Sequence, residues 1–324
     1  MPAFDLPLDE LRTYQGRNPR PDDHDEYWGE ALAELDAAMP GSDLRLDPVE
    51  HVAPYAECHD LWFTGVRGAR VYAKYLRPAA VTEPHAAVVV FHGYSNRSPD
   101  WFALLPYVAQ GFTVAALDVR GQGGRSQDTG GALGNTLEGH IVRGVGDDPR
   151  NLAFRHVYLD TVQLTRLVMD LPEVDPTRVG VTGASQGGAL TLACAALEPR
   201  VAAAAPVFPF LSDFQRVWEM DLATDAYVEL RHWLRRFDPT HADIDRLWRT
   251  LGYVDVQHLA PRIRGHVLML TGLMDTVCPP STQFAAYNKI TAPKEMVLYP
   301  DFEHEDLPGG DDRILRFLVE RLAT

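Results

Sequence analysis

Val179-Gly180-Val181-Thr182-Gly183-Ala184-Ser185-Gln186-Gly187-Gly188 sets a serine among small residues, directly after an apolar run and before a helix-forming stretch. The apolar run reads as a buried strand, and the Gly-x-Ser-x-Gly turn behind it reads as a nucleophile elbow. Such a turn is tight and strained, and bulk on either side would clash while the hydroxyl is held above the sheet. The plainer alternative is an ordinary glycine-rich strand-to-helix turn; the flanking strand and helix favour the elbow.

Outward from this turn the chain alternates strands and helices. Residues 87–91, 113–118, 179–182, 201–207, 267–271 and 296–299 are near-continuous apolar runs, the pattern of a parallel sheet covered on both faces. Helical stretches around 158–169, 188–197, 281–289 and 311–322 fall between or after them. The class implied is α/β, with a mostly parallel central sheet and helices on both faces. Residues 52–76, rich in Val, Tyr and Phe and broken by Gly65 and Gly68, predict antiparallel hairpins at one sheet edge. Residues 1–41 predict a helical N-terminal arm ending at Pro40-Gly41, and residues 211–262, with Trp218, Trp233 and Trp248, predict a helical insertion or cap. No repeat or flexible linker divides the 324 residues, so a single domain is expected.

A serine hydroxyl is a weak nucleophile and needs a base oriented by a third group. In this fold the order is serine, then an acid, then histidine, the later two on loops after later strands. Asp275 follows the run 267–271 and precedes Pro279-Pro280; His304 follows the last predicted strand and is the last histidine of twelve. They are the expected acid and base for Ser185. Asp301 competes for the acid role but sits almost beside His304. The oxyanion of an acyl-transfer intermediate needs two N–H donors. The backbone N–H of Gln186, next after the nucleophile, and that of Tyr94, in the loop Phe91-His92-Gly93-Tyr94-Ser95, are the expected pair. His92, ahead of the serine in chain order, reads as structural. Tyr94, Pro209 and Phe210 are the candidate lining of a small acyl pocket.

Composition narrows the partners. With 45 acidic against 30 basic residues the net charge is -15, which disfavours nucleic acid and anionic membrane surfaces. Arg231, Arg235 and Arg236 read as a solvated helix face. Cys58, Cys194 and Cys278 are too scattered for a disulfide framework or a zinc site, and a reducing compartment fits them best. The acidic, proline-bearing start lacks the pattern of a secretory signal, and no apolar run is long enough to span a membrane.

Taken together, Phe4-Asp5-Leu6-Pro7-Leu8 with Leu11 and Tyr14, Asp25-Glu26-Tyr27-Trp28, Phe91-His92-Gly93-Tyr94, Asp118-Val119-Arg120-Gly121-Gln122-Gly123-Gly124, Gly183 to Gly188 and His304-Glu305 make a nearly full-length pattern. It resembles carbohydrate esterase family 7, the acetyl xylan esterase and cephalosporin-C deacetylase group. The resemblance implies the α/β-hydrolase fold and removal of acetyl groups from xylo-oligosaccharides, acetylated sugars and cephalosporin C. It implies no metal or organic cofactor, a cytoplasmic location, and a homo-oligomer, commonly a hexamer with inward-facing sites that admit small substrates. It implies a triad at Ser185, Asp275 and His304, oxyanion amides at Tyr94 and Gln186, and structural support from Arg120 and Gln122. Arg125, where smaller polar residues are usual, and the variable stretch Tyr94-Ser95-Asn96-Arg97-Ser98 put substrate preference in question. Two rival readings remain: a peptidase of the prolyl-oligopeptidase type, and a non-catalytic hydrolase-like binding protein.

Overall fold

The computed structural model describes residues 4–50, 53–129 and 140–323. Position 52, where the hairpin region was expected to begin, lies outside them, as do the first three residues of the arm. Nine strands form one sheet: β1 Arg45–Val49, β2 Ala56–Thr64, β3 Arg70–Pro78, β4 His85–Phe91, β5 Thr113–Leu117, β6 Val174–Ala184, β7 Ala203–Val207, β8 His266–Gly272 and β9 Lys294–Tyr299. Their spatial order is β1-β2-β3-β5-β4-β6-β7-β8-β9. The first three strands pair antiparallel and join β5 antiparallel, while β5, β4, β6, β7, β8 and β9 run parallel. This is the expected fold class, with the antiparallel ribbon at one edge.

Strand alternation explains why the sheet needs cover on both sides. Ala87, Val89 and Phe91 of β4, with Ala115 and Leu117 of β5, enter the larger core. On the opposite face Ala86 and Val88 of β4 and Val114 and Ala116 of β5 enter two smaller ones. Both residue sets are apolar, so neither face can meet water without losing burial of about 25 cal/mol per Å². Helices α3 (Trp101–Ala109) and α11 (Gly310–Leu322) cover the smaller cores; α2 (His24–Ala38), α4 (Ala153–Met169), α5 (Gln186–Leu197) and α10 (Pro280–Lys289) contribute to the larger one. Helix α4 begins five residues before the expected start. Helix α3 was not among the expected helices: an internal Pro106 and a short, almost wholly apolar sequence hide its period.

The N-terminal arm holds a short α1 (Leu8–Leu11) and then α2. The 211–262 segment holds α6 (Phe214–Glu219), α7 (Val228–Phe237), α8 (Ile244–Leu251) and α9 (Val256–Leu259). Arm and insertion meet at buried Asp213, whose carboxylate accepts from the Tyr14 hydroxyl at 2.7 Å and from the backbone N–H groups of Arg17 and Asn18 at 2.9 and 2.7 Å. Among the described residues no helix is long and apolar enough to cross a membrane.

Candidate active site

Strand order reverses around β4: the chain goes from β4 to β5 on one side and then to β6 on the other. Loops leaving the carboxyl ends of β4 and β6 therefore diverge and open a crevice, the usual ligand position in such sheets. Ser185 leaves β6 and the Tyr94 loop leaves β4 at this crevice.

Ser185 has φ 58° and ψ −119°, a strained conformation for any residue with a side chain. The neighbours hold it there. Its N–H donates to Val207 O at 3.0 Å, and its carbonyl accepts from Phe210 N–H at 3.0 Å. The glycines are required by close approach: a Cβ on Gly183 would lie 2.4 Å from Phe91 O, and one on Gly187 would lie 2.1 Å from it. The elbow is thus wedged against β4, with α5 starting at Gln186.

His304 Nε2 lies 3.0 Å from Ser185 Oγ, and its Nδ1 lies 2.8 Å from Asp275 Oδ2. Asp275 is fully buried, and its other oxygen accepts from the N–H groups of Val277 and Cys278 at 2.9 and 2.7 Å. Those bonds fix the carboxylate, which fixes the ring; Phe208, itself at φ 30°, packs on the ring at 4.5 Å. Asp301, the competing acid, is exposed. The three residues are 90 and 29 positions apart along the chain, yet a hydroxyl, an imidazole and a carboxylate form one hydrogen-bonded line.

Gln186 lies in the first turn of α5, where N–H groups have no partner within the helix. Its side chain is locked to Gln122: Gln122 Nε2 donates to Gln186 Oε1 at 2.6 Å, and Gln186 Nε2 donates to Gln122 Oε1 at 3.0 Å. The same Gln122 oxygen accepts from Ser95 N–H at 3.0 Å, so one side chain ties the β4 loop to the elbow. His92 accepts from Val119 N–H at 3.0 Å through Nε2, which leaves Nδ1–H to donate to Gly93 O at 2.7 Å. Burial pushes its pKa down, consistent with a neutral structural ring. Arg120 is buried against Asp160, with Nε 2.6 Å from Oδ2.

Two candidate pocket residues are corrected. Phe210 has no exposed surface; its ring lies against Tyr227 at 4.2 Å and Tyr94 at 5.6 Å, so it backs the site instead of lining it. Pro209 is also buried, close against Gly188 at the start of α5. Tyr94 is half-buried, with its hydroxyl turned to Glu229 on α7 and to His140. A cavity of about 710 Å³ opens at Ser185 and is lined by Asn96, Arg97, Asp100, Asp306, Asp311 and Ile314 among others. Asn96, Arg97 and Ser98, from the stretch expected to vary, thus form part of a cavity wall. Arg125 instead stacks over Tyr72 at 4.2 Å and Trp62 at 4.9 Å and pairs with Asp60.

Cys278, seen in the sequence only as one of three scattered cysteines, is buried beside Ser185, and burial pushes its thiol pKa well up. With Asp275 and His304 it makes the one cluster of metal-ligand spacing among the described residues. Both His304 nitrogens are already hydrogen-bonded and a protonated thiol ligates poorly, so the donor set suits proton transfer better than a metal.

The profile of the acetyl xylan esterase family matches residues 1–321. The chain belongs to that family. It is accordingly a carboxylic ester hydrolase with the α/β-hydrolase fold. Acetyl xylan esterase 1 from Thermoanaerobacterium sp. JW/SL YS485 is 54% identical, superposes with a TM-score of 0.96, and aligns over 98% of this chain and 99% of that one. The acetyl xylan esterase from Paenibacillus sp. R4 is 35% identical, with a TM-score of 0.93 over 98% and 100% of the two chains. Acetyl esterase Axe7A of Xylanibacter ruminicola is 37% identical over 166 residues, 51% of this chain; the match spans only 36% of that longer protein.

Proposed function

We propose that this esterase removes acetyl groups from small acetylated carbohydrates such as xylo-oligosaccharides, and from related acetyl esters including cephalosporin C, through an acyl-enzyme on Ser185. The observation that carries the mechanism is the unbroken line from Asp275 to His304 to Ser185 Oγ. His304 Nε2 takes the serine proton as Oγ attacks the acetyl carbonyl; Asp275 keeps the ring in the tautomer that can accept it. The amides of Tyr94 and Gln186 hold the negative oxygen of the tetrahedral intermediate. His304 then protonates the leaving sugar oxygen as its bond to the acetyl carbon breaks, and water, activated by the same ring, attacks the acetyl–Ser185 ester and releases acetate.

The open polar cavity at Ser185 supports a hydrophilic leaving group, and the charged Arg97, Asp100, Asp306 and Asp311 on its walls suit hydroxyl-rich substrates. Three free, buried cysteines fit a reducing, cytoplasmic setting, and the family membership fits a homo-oligomer, which light scattering would size. Ser185→Ala should lower kcat on p-nitrophenyl acetate roughly 10⁶-fold, the scale for loss of a nucleophile. Residual turnover within tenfold of the parent would refute the assignment. Acetate release from acetylated xylo-oligosaccharides should exceed cleavage of an aminoacyl-proline amide; the reverse order would favour a peptidase.

A further inference from the structure

Helix α7 of the insertion carries a glutamate that no motif singles out. Glu229 is 2% exposed, yet it sits next to the loop that leaves β4. Its Oε1 accepts from the Tyr94 hydroxyl, and its Oε2 accepts from the backbone N–H of Val142 at 3.1 Å. The Tyr94 oxygen in turn accepts from His140 N–H at 2.6 Å. Burying a carboxylate is costly unless its oxygens are hydrogen-bonded, and here they are met by a phenol and backbone amides. Burial raises its pKa to about 7.

Tyr94 is consequently held at three points. Its hydroxyl is clamped by Glu229 and His140, its ring packs on Phe210 at 5.6 Å, and the next residue, Ser95, has its N–H on Gln122. Ser95 has φ 56°, so the loop is strained as well as anchored. A side chain fixed at both ring and tip leaves its own Cα, and hence its own N–H, little freedom. Oxyanion donors stabilise the transition state because they need no reorganisation when charge develops.

We propose that Glu229 is a positioning residue for ester hydrolysis: through the Tyr94 hydroxyl it aims the Tyr94 backbone N–H at the oxyanion, making the insertion a working part of the active site. This rests on Tyr94 being an oxyanion donor, as read above. The side chain of Tyr94 touches no reacting atom on this account; it is a lever on its own amide.

The experiment compares Glu229→Gln, Tyr94→Phe and the double variant on p-nitrophenyl acetate, with urea unfolding of each. Each single variant should lower kcat about tenfold to a hundredfold, less than the loss of a whole oxyanion donor, with KM changing less than about threefold. The double variant should be no slower than the worse single one, since both break the same link. Folded single variants with parental kcat, or losses that multiply in the double variant, overturn the proposal. Failure of both single variants to fold also counts against it, because it would make Glu229 a stability residue. Ser185→Ala run alongside separates the two levels: if it abolishes turnover while Glu229→Gln has no effect, the esterase mechanism stands and the positioning role falls.

Discussion

The elbow around Ser185 and the insertion at 211–262 both place polar groups in buried surroundings, but they do so over different distances in the chain. At the elbow the constraint is nearly local: a run of six residues, wedged against Phe91 O, forces the serine backbone to φ 58°. In the insertion, the carboxylates of buried Asp213 and Glu229 find partners far away along the chain. Asp213 reaches Tyr14, 199 residues away, and Glu229 reaches Tyr94, 135 residues away. Local geometry leaves a readable motif, whereas long-range pairing leaves an ordinary acidic residue on an amphipathic helix.

Damage at the elbow side should appear as lost turnover in an intact fold, and damage at the insertion as lost stability or lost alignment. After loss of the nucleophile itself, the largest effect is expected for Asp275→Asn, which keeps the shape but favours the wrong tautomer of His304. It should lower kcat about 10⁴-fold with an unchanged unfolding curve; an active variant would show that the carboxylate is only a turn-stabilising group.

Asp213→Ala should do the opposite. It leaves the Tyr14 hydroxyl and two backbone N–H groups without their acceptor, and should cost about 3 kcal/mol in urea unfolding while the folded fraction keeps most of its kcat. A fully stable but inactive variant would break the distinction between the two regions.

Buried histidines supply a subtler test. His24 of the arm, His258 of the insertion and His156 of α4 are each pushed down to about 3, first by burial. Their unfolded forms take up protons near pH 6.5, so the stability they contribute is present above that value and is lost as pH falls toward 3. Glu229 acts oppositely: raised to about 7, its contribution is present at low pH and lost as pH rises from about 4.5 through 7. His59, His92 and His140 are pushed down by burial as well, while Asp255 and Asp160 are pushed up and act with Glu229; the histidines outnumber the carboxyls, and the urea midpoint should drop between pH 7 and pH 5. A midpoint that rises over this interval would contradict the burial of these rings.

Least is expected from Arg125→Ala. The side chain is half-exposed, stacked on Tyr72 and Trp62 away from the described cavity wall, so stability should change by less than about 1 kcal/mol and ester preference not at all. A shifted preference among acetyl, propionyl and butyryl esters would bring it back into the site, where its departure from the family pattern first pointed.

What the sequence disclosed follows the same division. Apolar runs gave the parallel strands because both faces of β4 and β5 are buried, and chain order singled out Asp275 and His304, which the fold brings into hydrogen-bonding distance of one another and of Ser185. Gln122 could be assigned to support through its motif, though not its simultaneous grip on Ser95 and Gln186. Phe210 was misjudged because an aromatic after a β7-type strand can face either the cavity or the core, and only packing against Tyr227 decides. Helix α3 was missed because an unbroken apolar segment has no amphipathic period. Glu229 left no signal, since neither its burial nor its partner 135 positions earlier can be inferred from its neighbours.

The central claim is that one hydroxyl, activated by His304, forms the covalent intermediate. Reaction of the folded protein with a fluorophosphonate probe, followed by peptide mass spectrometry, reads this directly. A single adduct on the peptide containing Ser185, strongly reduced in His304→Ala, is the predicted result; an adduct on a different residue, or none on folded and esterolytically active protein, would contradict it.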